Sequence, residues 1–524
     1  MTGSPEEPPP GLRLAELARE IPGDSELPPE AADVRVTGVR HDSREILPGE
    51  LFVARRGRTA DGARFASAAK ERGAVAVIAA RSDERASVGL PVLRVDDPQR
   101  ALAFAAAAVY GHPSFSLDVV GITGTNGKTT STHLVRAAVD GALGRASCGT
   151  IGTVGHAFAG RILEASHTTP EADELARLMA TMRAQGASLV AMEVSSHALA
   201  LGRVEAIRFR VAAFTNLTQD HLDFHGTLEA YGEAKARLFT ELGPGAAVIN
   251  VDDEAGAALA RRVRSPLLRV RRSPTGEGDA DVAPIRVEAS EGGTIVVART
   301  PSGVIEIRSR LLGAHNVENL MVTLGVIEAL GLDVERAALA LGREGGAPGR
   351  LERCDTPDDD IVVLVDYAHT PDALARALES VSLVKKGRVL CVFGCGGDRD
   401  PTKRAKMGSA VARGADVALV TSDNPRSEDP AKVASAVEEG VRSEGMPRLA
   451  EGDLGAAERG YLVELDRARA IRGAVLAARK DDIVLVAGKG HETYQIIGAA
   501  RILFDDREEA RRALAARRSA HGER

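Results

Sequence analysis

Short unbroken apolar runs recur along most of this chain, each followed by a turn and then by a stretch with helical spacing. From Val34 to Tyr110 the extended runs GELFVA and AVAVIAA alternate with the helical runs ARFASAAKERG and PQRALAFAAAAVYG. That rhythm predicts a small α/β domain, ending at the break Gly111-His112-Pro113-Ser114. A second block opens on the buried-strand pattern LDVVGIT, followed by a glycine loop and a long amphipathic stretch from Lys128. Further apolar strands are expected at SLVAME, RVAAFTN and AAVINVD, as in a doubly wound parallel sheet. Residues 290–310 read as a hairpin, and a helix from Asn316 to Leu330 leads to the loop GREGGAPGR. From about residue 351 the strand–helix rhythm returns with DIVVLVDY, RVLCVFG, DVALVT and DIVLVAG, a second α/β sheet whose ligands should sit beyond the strand C-termini. The tail REEARRALAARRSAHGER is expected to form one helix with a frayed end.

Composition narrows the class. The 524 residues suggest about three domains, and 44% hydrophobic with 27% charged residues is ordinary for a globular protein. Acids outnumber bases, 74 to 67, for a net charge of −7, which argues against a nucleic-acid surface. Any anionic ligand must then be held by local clusters. Cys148, Cys354, Cys391 and Cys395 show no zinc spacing and read as reduced thiols. The start MTGSPEEPPPG is acidic and proline-rich, unlike a signal peptide, and residues 1–11 read as a disordered leader. The longest apolar run, Ala101 to Tyr110, falls far short of the roughly 20 residues that cross a bilayer. A cytoplasmic protein without membrane or nucleic-acid partners, and a monomer, is the expectation.

Three segments carry chemistry. In the first, Gly121-Ile122-Thr123-Gly124-Thr125-Asn126-Gly127-Lys128-Thr129-Thr130 lies between a predicted strand and a helix, the setting a phosphate loop requires. Its glycines let backbone N–H groups curl around phosphate oxygens, while the helix N-terminus adds partial positive charge. Lys128 would reach the β/γ-phosphates and the Thr129 hydroxyl would bind Mg²⁺. Strict spacing puts glycine where Ile122 stands, so the match is to a GTNGKT variant; an incidental glycine turn is the alternative. The second segment, Ala191-Met192-Glu193-Val194-Ser195-Ser196-His197, places a carboxylate at a strand end, suited to a further Mg²⁺ contact or, more plainly, to capping a helix. The third, Phe214-Thr215-Asn216-Leu217-Thr218-Gln219-Asp220-His221-Leu222-Asp223-Phe224-His225-Gly226, reads equally as a metal site and as a solvated turn.

In this order the segments closely resemble the ATP-dependent Mur ligase family, from about Val39 to Asp506. Matching stretches include DSREILPGELFVARRG, EAYGEAKARLF, LLGAHNVENLMVTLG, GRLE, VDYAHTPDAL, FGCGGDRDPTKR, SDNPRSEDP and AGKGHETYQ. The resemblance implies three domains: 12–113 binding a UDP-linked precursor, 114–345 a central P-loop-type ATPase, and 346–524 a Rossmann-like domain. It implies that Lys235 is carbamylated by CO₂ and, as an anionic oxygen ligand, helps hold Mg²⁺ beside His221. Asn316 and Asn319 match the adenine-side segment, and Arg350 and Asp366 match positions that touch phosphate and ribose across a domain interface. His369 lies in the same DYAHTPD loop without an assigned role. Ser43 and the turn Arg58-Thr59-Ala60 match the uridine end, and Thr168, Thr169, Ser195 and Arg203 match contacts to a muramoyl dipeptide. Leu201 stands where close relatives carry glutamine, two residues before Arg203, so one substrate hydrogen bond loses its side chain.

Which amino acid such a ligase adds is read from Asp423-Asn424-Pro425-Arg426. This form resembles the family's diaminopimelate-adding members, whereas lysine-adding ones lack the arginine. Diaminopimelate differs from lysine by a distal carboxylate, which the planar fork of Arg binds bidentately. Arg399, Gly488 and Glu492 match the remaining contacts, the acid receiving the distal ammonium. The resemblance thus implies an ADP-forming ligase joining meso-diaminopimelate to UDP-N-acetylmuramoyl-L-alanyl-D-glutamate, through an acyl phosphate, with ATP and Mg²⁺. Because its ligands fall in three domains, closure of the last over ATP is expected. A lysine-adding ligase or a folylpolyglutamate synthase is the nearest alternative. A P-loop ATPase or kinase without ligation would turn ATP over with no amine acceptor, and a catalytically dead binding module sits badly with the retained Lys128, Glu193, His221 and Lys235.

Overall fold

Alternate residues of the C-terminal strands feed two different cores, and for that reason their sequences read as unbroken apolar runs. Val362, Leu364, Cys391, Phe393, Ile483 and Leu485 pack into one cluster. Their neighbours Val363, Val365, Leu390, Val392, Val484 and Val486 pack into another. Side chains alternate across a strand, so a sheet covered on both faces leaves no place for a polar residue. Its six strands run in the order Glu352–Arg353, Val362–Asp366, Ile483–Ala487, Val389–Phe393, Val417–Val420, Gly460–Val463. All neighbours are parallel except the first pair.

The structure is a computed structural model and describes residues 11–57, 61–165, 167–274, 280–290 and 292–522. The expected leader, apart from Gly11, and the Arg58-Thr59-Ala60 turn lie outside the described residues. Two compact units are formed, one from residues up to Ala283 with 300–302 and 321–337, the other from 284–299, 303–320 and 338–524.

Within the first unit, a four-stranded parallel sheet (Gly38–Arg40, Glu50–Val53, Ala76–Ala80, Val92–Val95) accounts for the first block. An eight-stranded sheet follows, with Asp118–Thr123 flanked by Leu189–Glu193 and Val211–Phe214. After Asp118–Thr123 the chain builds Cys148–Gly152 and Leu189–Glu193 to one side, then crosses to Val211–Phe214 on the other. The carboxyl end of Asp118–Thr123 is therefore a switch point, where open α/β sheets bind ligands. Helix Ala172–Ala184 joins the two sheets, burying Ala172 and Ala176 in the first domain's core and Leu175, Leu178 and Met179 in the second's.

In the second unit the expected hairpin is present as Gly293–Thr300 and Gly303–Ser309, and Ala283–Ser290 adds a further strand. Sequence reasoning missed that strand, whose residues from Ile285 onward are exposed, although Ile285, Val287 and Ala289 do alternate with Arg286 and Glu288. Among the described residues no helix is long and apolar enough to cross a membrane.

One buried ion pair ties the last helix, Asp506–Gly522, to this unit. Arg467 donates through Nε and Nη2 to both oxygens of Asp506, each at 2.7 Å, and both residues are buried. The same guanidinium donates to the carbonyl of Ala487 at 2.9 Å, at the end of a central strand. Removing one partner strands a charge, so Asp506→Ala should cost about 3–5 kcal/mol. An unchanged urea-unfolding midpoint, followed by circular dichroism, would contradict this.

Candidate active site

The glycine loop at the switch point is held open by its neighbours. Gly124 has φ 149° and Gly127 φ 85°, and a Cβ on Gly124 would collide with the Thr215 hydroxyl. Glycine is therefore required where the backbone turns into helix Lys128–Leu143. The third sequence segment braces the loop. Thr125 N–H donates to Asn216 O at 2.8 Å, Asn126 N–H to Asn216 Oδ1 at 3.0 Å, and the Thr125 hydroxyl to Thr218 O at 3.1 Å. Thr129 and Thr130 are buried in the first helical turn.

Two lysines converge on one carbonyl. Lys128 Nζ donates to Gly124 O and Thr125 O, both at 2.9 Å, and Lys235 Nζ donates to Gly124 O at 2.8 Å. Lys235 is only 1% exposed, on helix Leu228–Thr240, with its amine 4.3 Å from the centre of the Tyr231 ring. Burial, reinforced by the charge of Lys128, holds the Lys235 amine well below its ordinary pKa. A neutral amine is a nucleophile; an ammonium is not.

Glu193 links this loop to the second set of residues. Its Oε2 accepts from the Thr129 hydroxyl at 2.9 Å, and its Oε1 from Thr153 N–H at 2.8 Å. The Thr153 hydroxyl lies 3.0 Å from that of Thr168. Thr169 Oγ1 donates to the Glu193 carbonyl at 2.9 Å and accepts from Ser195 N–H at 3.0 Å, while Arg203 Nη1 donates to Thr169 O at 2.9 Å. Thr168, Thr169, Ser195 and Arg203 thus form one patch adjoining the phosphate loop. The Glu171 carboxylate grips Arg203 at 2.7 Å and Arg55 of the first domain at 2.8 Å. His41, two residues before the buried Ser43, meets Asp173 at 2.8 Å. Neither acid was singled out from the sequence, because the contacts are long-range.

His221 takes a left-handed conformation (φ 51°) beside a ring cluster, 4.8 Å from His197 and 6.2 Å from Tyr231 between centroids. Burial, then the neighbouring His221 and His225, push His197 down to about 4, so it stays a neutral packing ring at neutral pH. Among the described residues no three His, Cys, Asp or Glu side chains form a ready metal cage. The Thr129 hydroxyl and Glu193 carboxylate do offer paired oxygens of the kind Mg²⁺ prefers.

In the second unit, Asn316 is buried at the start of helix Ala314–Leu330, with its Nδ2 on Leu312 O at 2.9 Å and its Oδ1 accepting from Asn319 at 2.9 Å. Asp366 ends strand Val362–Asp366 and accepts from the N–H groups of Leu351 (2.7 Å) and Ala368 (2.8 Å). Burial raises its pKa against the lowering pull of Arg350. The Arg350 guanidinium lies 4.8 Å over the Tyr367 ring, which packs 5.0 Å from His491. His369 is exposed and bonds its own loop at Tyr367 O, 2.8 Å away.

Beyond the ends of strands Val417–Val420 and Ile483–Ala487 lies a cluster of polar side chains. Asp423 and Asn424 are buried; Asn424 Nδ2 donates to Glu492 Oε2 at 2.9 Å, and a Cβ on Gly488 would stand 3.1 Å from Asp423 Oδ2. Arg426, after Pro425, has φ 53° and donates through Nη1 to Gly397 O at 2.8 Å. Arg399 is exposed on the loop whose Asp398 accepts from the Ser427 hydroxyl at 2.7 Å. The cluster also contains Lys489, which sequence reasoning passed over although it lies two residues past the carboxyl end of strand Ile483–Ala487.

Comparison with known proteins gives matches along nearly the whole chain. The Mur ligase family, catalytic domain, matches residues 35–110; the Mur ligase middle domain matches 122–327; and the Mur ligase, glutamate ligase domain, matches 349–490. The chain is 43% identical over 514 residues to a UDP-N-acetylmuramoyl-L-alanyl-D-glutamate–2,6-diaminopimelate ligase of Gloeobacter violaceus, covering 97% of this chain and 99% of that one. A protein of the same name from Geobacter metallireducens is 44% identical, covering 96% and 98%. A solved structure of a ligase with that name superposes with a TM-score of 0.70 at 31% identity, covering 97% of this chain and 99% of the other.

Proposed function

The chain belongs to the Mur ligase family and is an ATP-dependent, ADP-forming ligase of peptidoglycan precursor synthesis, and from that premise we propose that it joins meso-diaminopimelate to UDP-N-acetylmuramoyl-L-alanyl-D-glutamate. One observation carries the reading: a phosphate loop whose Thr129 bonds Glu193 adjoins the patch Thr168, Thr169, Ser195 and Arg203. A triphosphate and an acidic acceptor therefore have neighbouring seats in one unit.

The proposed reaction has two steps. An oxygen of the D-glutamyl γ-carboxylate attacks the γ-phosphorus, its bond to the β,γ-bridging oxygen breaks, and ADP leaves an acyl phosphate. The diaminopimelate amine then attacks the acyl carbon, inorganic phosphate departs and the nitrogen loses its proton. Two anions must meet in the first step, so positioning and charge neutralisation do most of the catalysis. Lys128 and the loop N–H groups of Gly124, Gly127, Thr129 and Thr130 are proposed to cradle the phosphates, with Thr125 and Asn126, whose N–H groups are held by Asn216, shaping the loop. Asn316, Arg350 and Asp366 match the family's further nucleotide contacts and are proposed in that role. Ser43, with the turn at 58–60, is proposed for the uridine end, and Asp423, Asn424, Arg426, Gly488, Glu492 and Arg399 for the amino acid.

Thr129, Glu193, His221 and carbamylated Lys235 are proposed to hold Mg²⁺, which would offset triphosphate charge. Reaction of the neutral Lys235 amine with CO₂ forms an N–C bond as one C=O π bond opens onto oxygen, releases a proton and turns a buried neutral amine into an anion. Depleting CO₂ and bicarbonate should therefore lower turnover about tenfold or more, with recovery on re-addition, since one metal contact is lost. A carbamate carbon signal with ¹³C-labelled bicarbonate, absent in Lys235→Ala, is the matching readout; turnover indifferent to CO₂ would refute it. The whole assignment is tested by phosphate release with the UDP-muramoyl dipeptide and meso-diaminopimelate, L-lysine or no amine. Equal release in all three rejects it.

A further inference from the structure

Lys489 is buried at 0% exposure amid the proposed amino-acid pocket. Its Nζ donates to Glu492 Oε2 at 3.0 Å and to Asn424 Oδ1 at 3.2 Å, and stands 3.8 Å from Asp423 Oδ1. A lysine ammonium only donates, and so does the Ile496 N–H that reaches the same Asn424 oxygen at 2.9 Å. These two donors fix the amide with its oxygen inward, which turns its NH₂ to Glu492. Asp423 Oδ1, in contrast, is buried without a hydrogen-bond partner among the described residues.

The charges of this floor can be counted. Asp423 and Glu492 bring two negative charges and Lys489 one positive, which leaves one negative. The nearby Arg467 is already neutralised by Asp506. With Arg426 these four side chains sum to zero, the exposed Arg399 standing outside the count on its loop. The distal end of diaminopimelate is also neutral, a carboxylate and an ammonium side by side, whereas the end of lysine is a bare cation. We propose that Lys489 is a specificity-determining positioning residue: it cancels one of two floor carboxylates and aims the other, matching the pocket to a zwitterionic end rather than a cationic one. Without its charge the floor carries two negatives, and the pocket complements a cation instead.

The inference rests on the amino-acid pocket proposed above. Its test compares kcat/KM for meso-diaminopimelate and L-lysine in full-length wild type, Lys489→Met and Glu492→Gln, at saturating ATP and UDP-muramoyl dipeptide. Lys489→Met should lower the diaminopimelate-to-lysine ratio about tenfold or more, with KM for ATP unmoved. Glu492→Gln, which makes the pocket net positive, should raise the ratio. Equal losses for both amines in Lys489→Met, or ratios shifting the same way in the two variants, overturn the proposal. Should Lys489→Met not accumulate as folded protein, Lys489→Met with Asp423→Asn restores the floor to one negative charge. That double variant should keep the wild-type ratio, and a tenfold loss of it refutes the idea. Wild-type enzyme that incorporates neither amine fails the functional reading instead.

Discussion

Lys128→Ala will form ADP about 10³-fold or more slowly than the wild type, the range seen when a preorganised charge is removed from a phosphoryl-transfer site. The side chain is folded back over its own loop, its amine on the carbonyls of Gly124 and Thr125. A positive charge therefore already stands at the mouth of the loop and needs little reorganisation to meet a phosphate. The substitution has a second effect. Lys128 is one of the charges that depress the Lys235 amine, so its loss should let Lys235 hold a proton more tightly and load CO₂ less readily. Lys128→Arg keeps the repulsion but not the reach; it should retain the carbamate signal and still lose most turnover. ADP formation in a coupled assay decides the matter, and a Lys128→Ala enzyme within tenfold of wild type would defeat the assignment.

The second large effect concerns Arg426. Truncation to alanine should raise KM for diaminopimelate about 10²-fold, since a carboxylate carried into a partly desolvated pocket then lacks its partner, a loss of a few kcal/mol. The backbone offers a control. Arg426 is a non-glycine residue at φ 53°, held there because its N–H donates to Ile496 O at 3.1 Å and its carbonyl accepts from Gly498 N–H at 2.7 Å. Such a conformation stores strain of order 1 kcal/mol. Arg426→Gly should therefore melt no lower than wild type, while losing diaminopimelate as severely as Arg426→Ala. If KM stays put in both variants, Arg426 does not meet the substrate carboxylate.

The α/β blocks were legible in the sequence because strands covered on both faces must be apolar through their length, as 362–365 and Ile483–Ala487 are. The phosphate loop was legible because glycine followed by Lys-Thr at a strand–helix junction has few other uses. The strand Ala283–Ser290 was missed since half its alternating residues are charged and it buries little. Asn216 and Thr218 were read within a segment that could be a metal site or a loose turn; their part in bracing Thr125 and Asn126 depends on strand order, which spacing along the chain does not encode. Glu171 and Asp173 belong to the same class, since each acts on a residue more than a hundred positions away in the first domain. Lys489 was within reach, being set two residues past a strand end. Its importance emerges only when the partners Asp423, Asn424 and Glu492 are counted together.

The Gly124 carbonyl receives both Lys128 and Lys235, so the proposed nucleotide and CO₂ sites share one hydrogen-bond acceptor. Linkage requires that any factor by which CO₂ loading changes affinity for the metal nucleotide is returned by the nucleotide on the loading. On the proposed carbamylation, dissolved inorganic carbon would be a thermodynamic effector of the enzyme, and the bicarbonate concentration that half-restores degassed enzyme should shift when nucleotide is present.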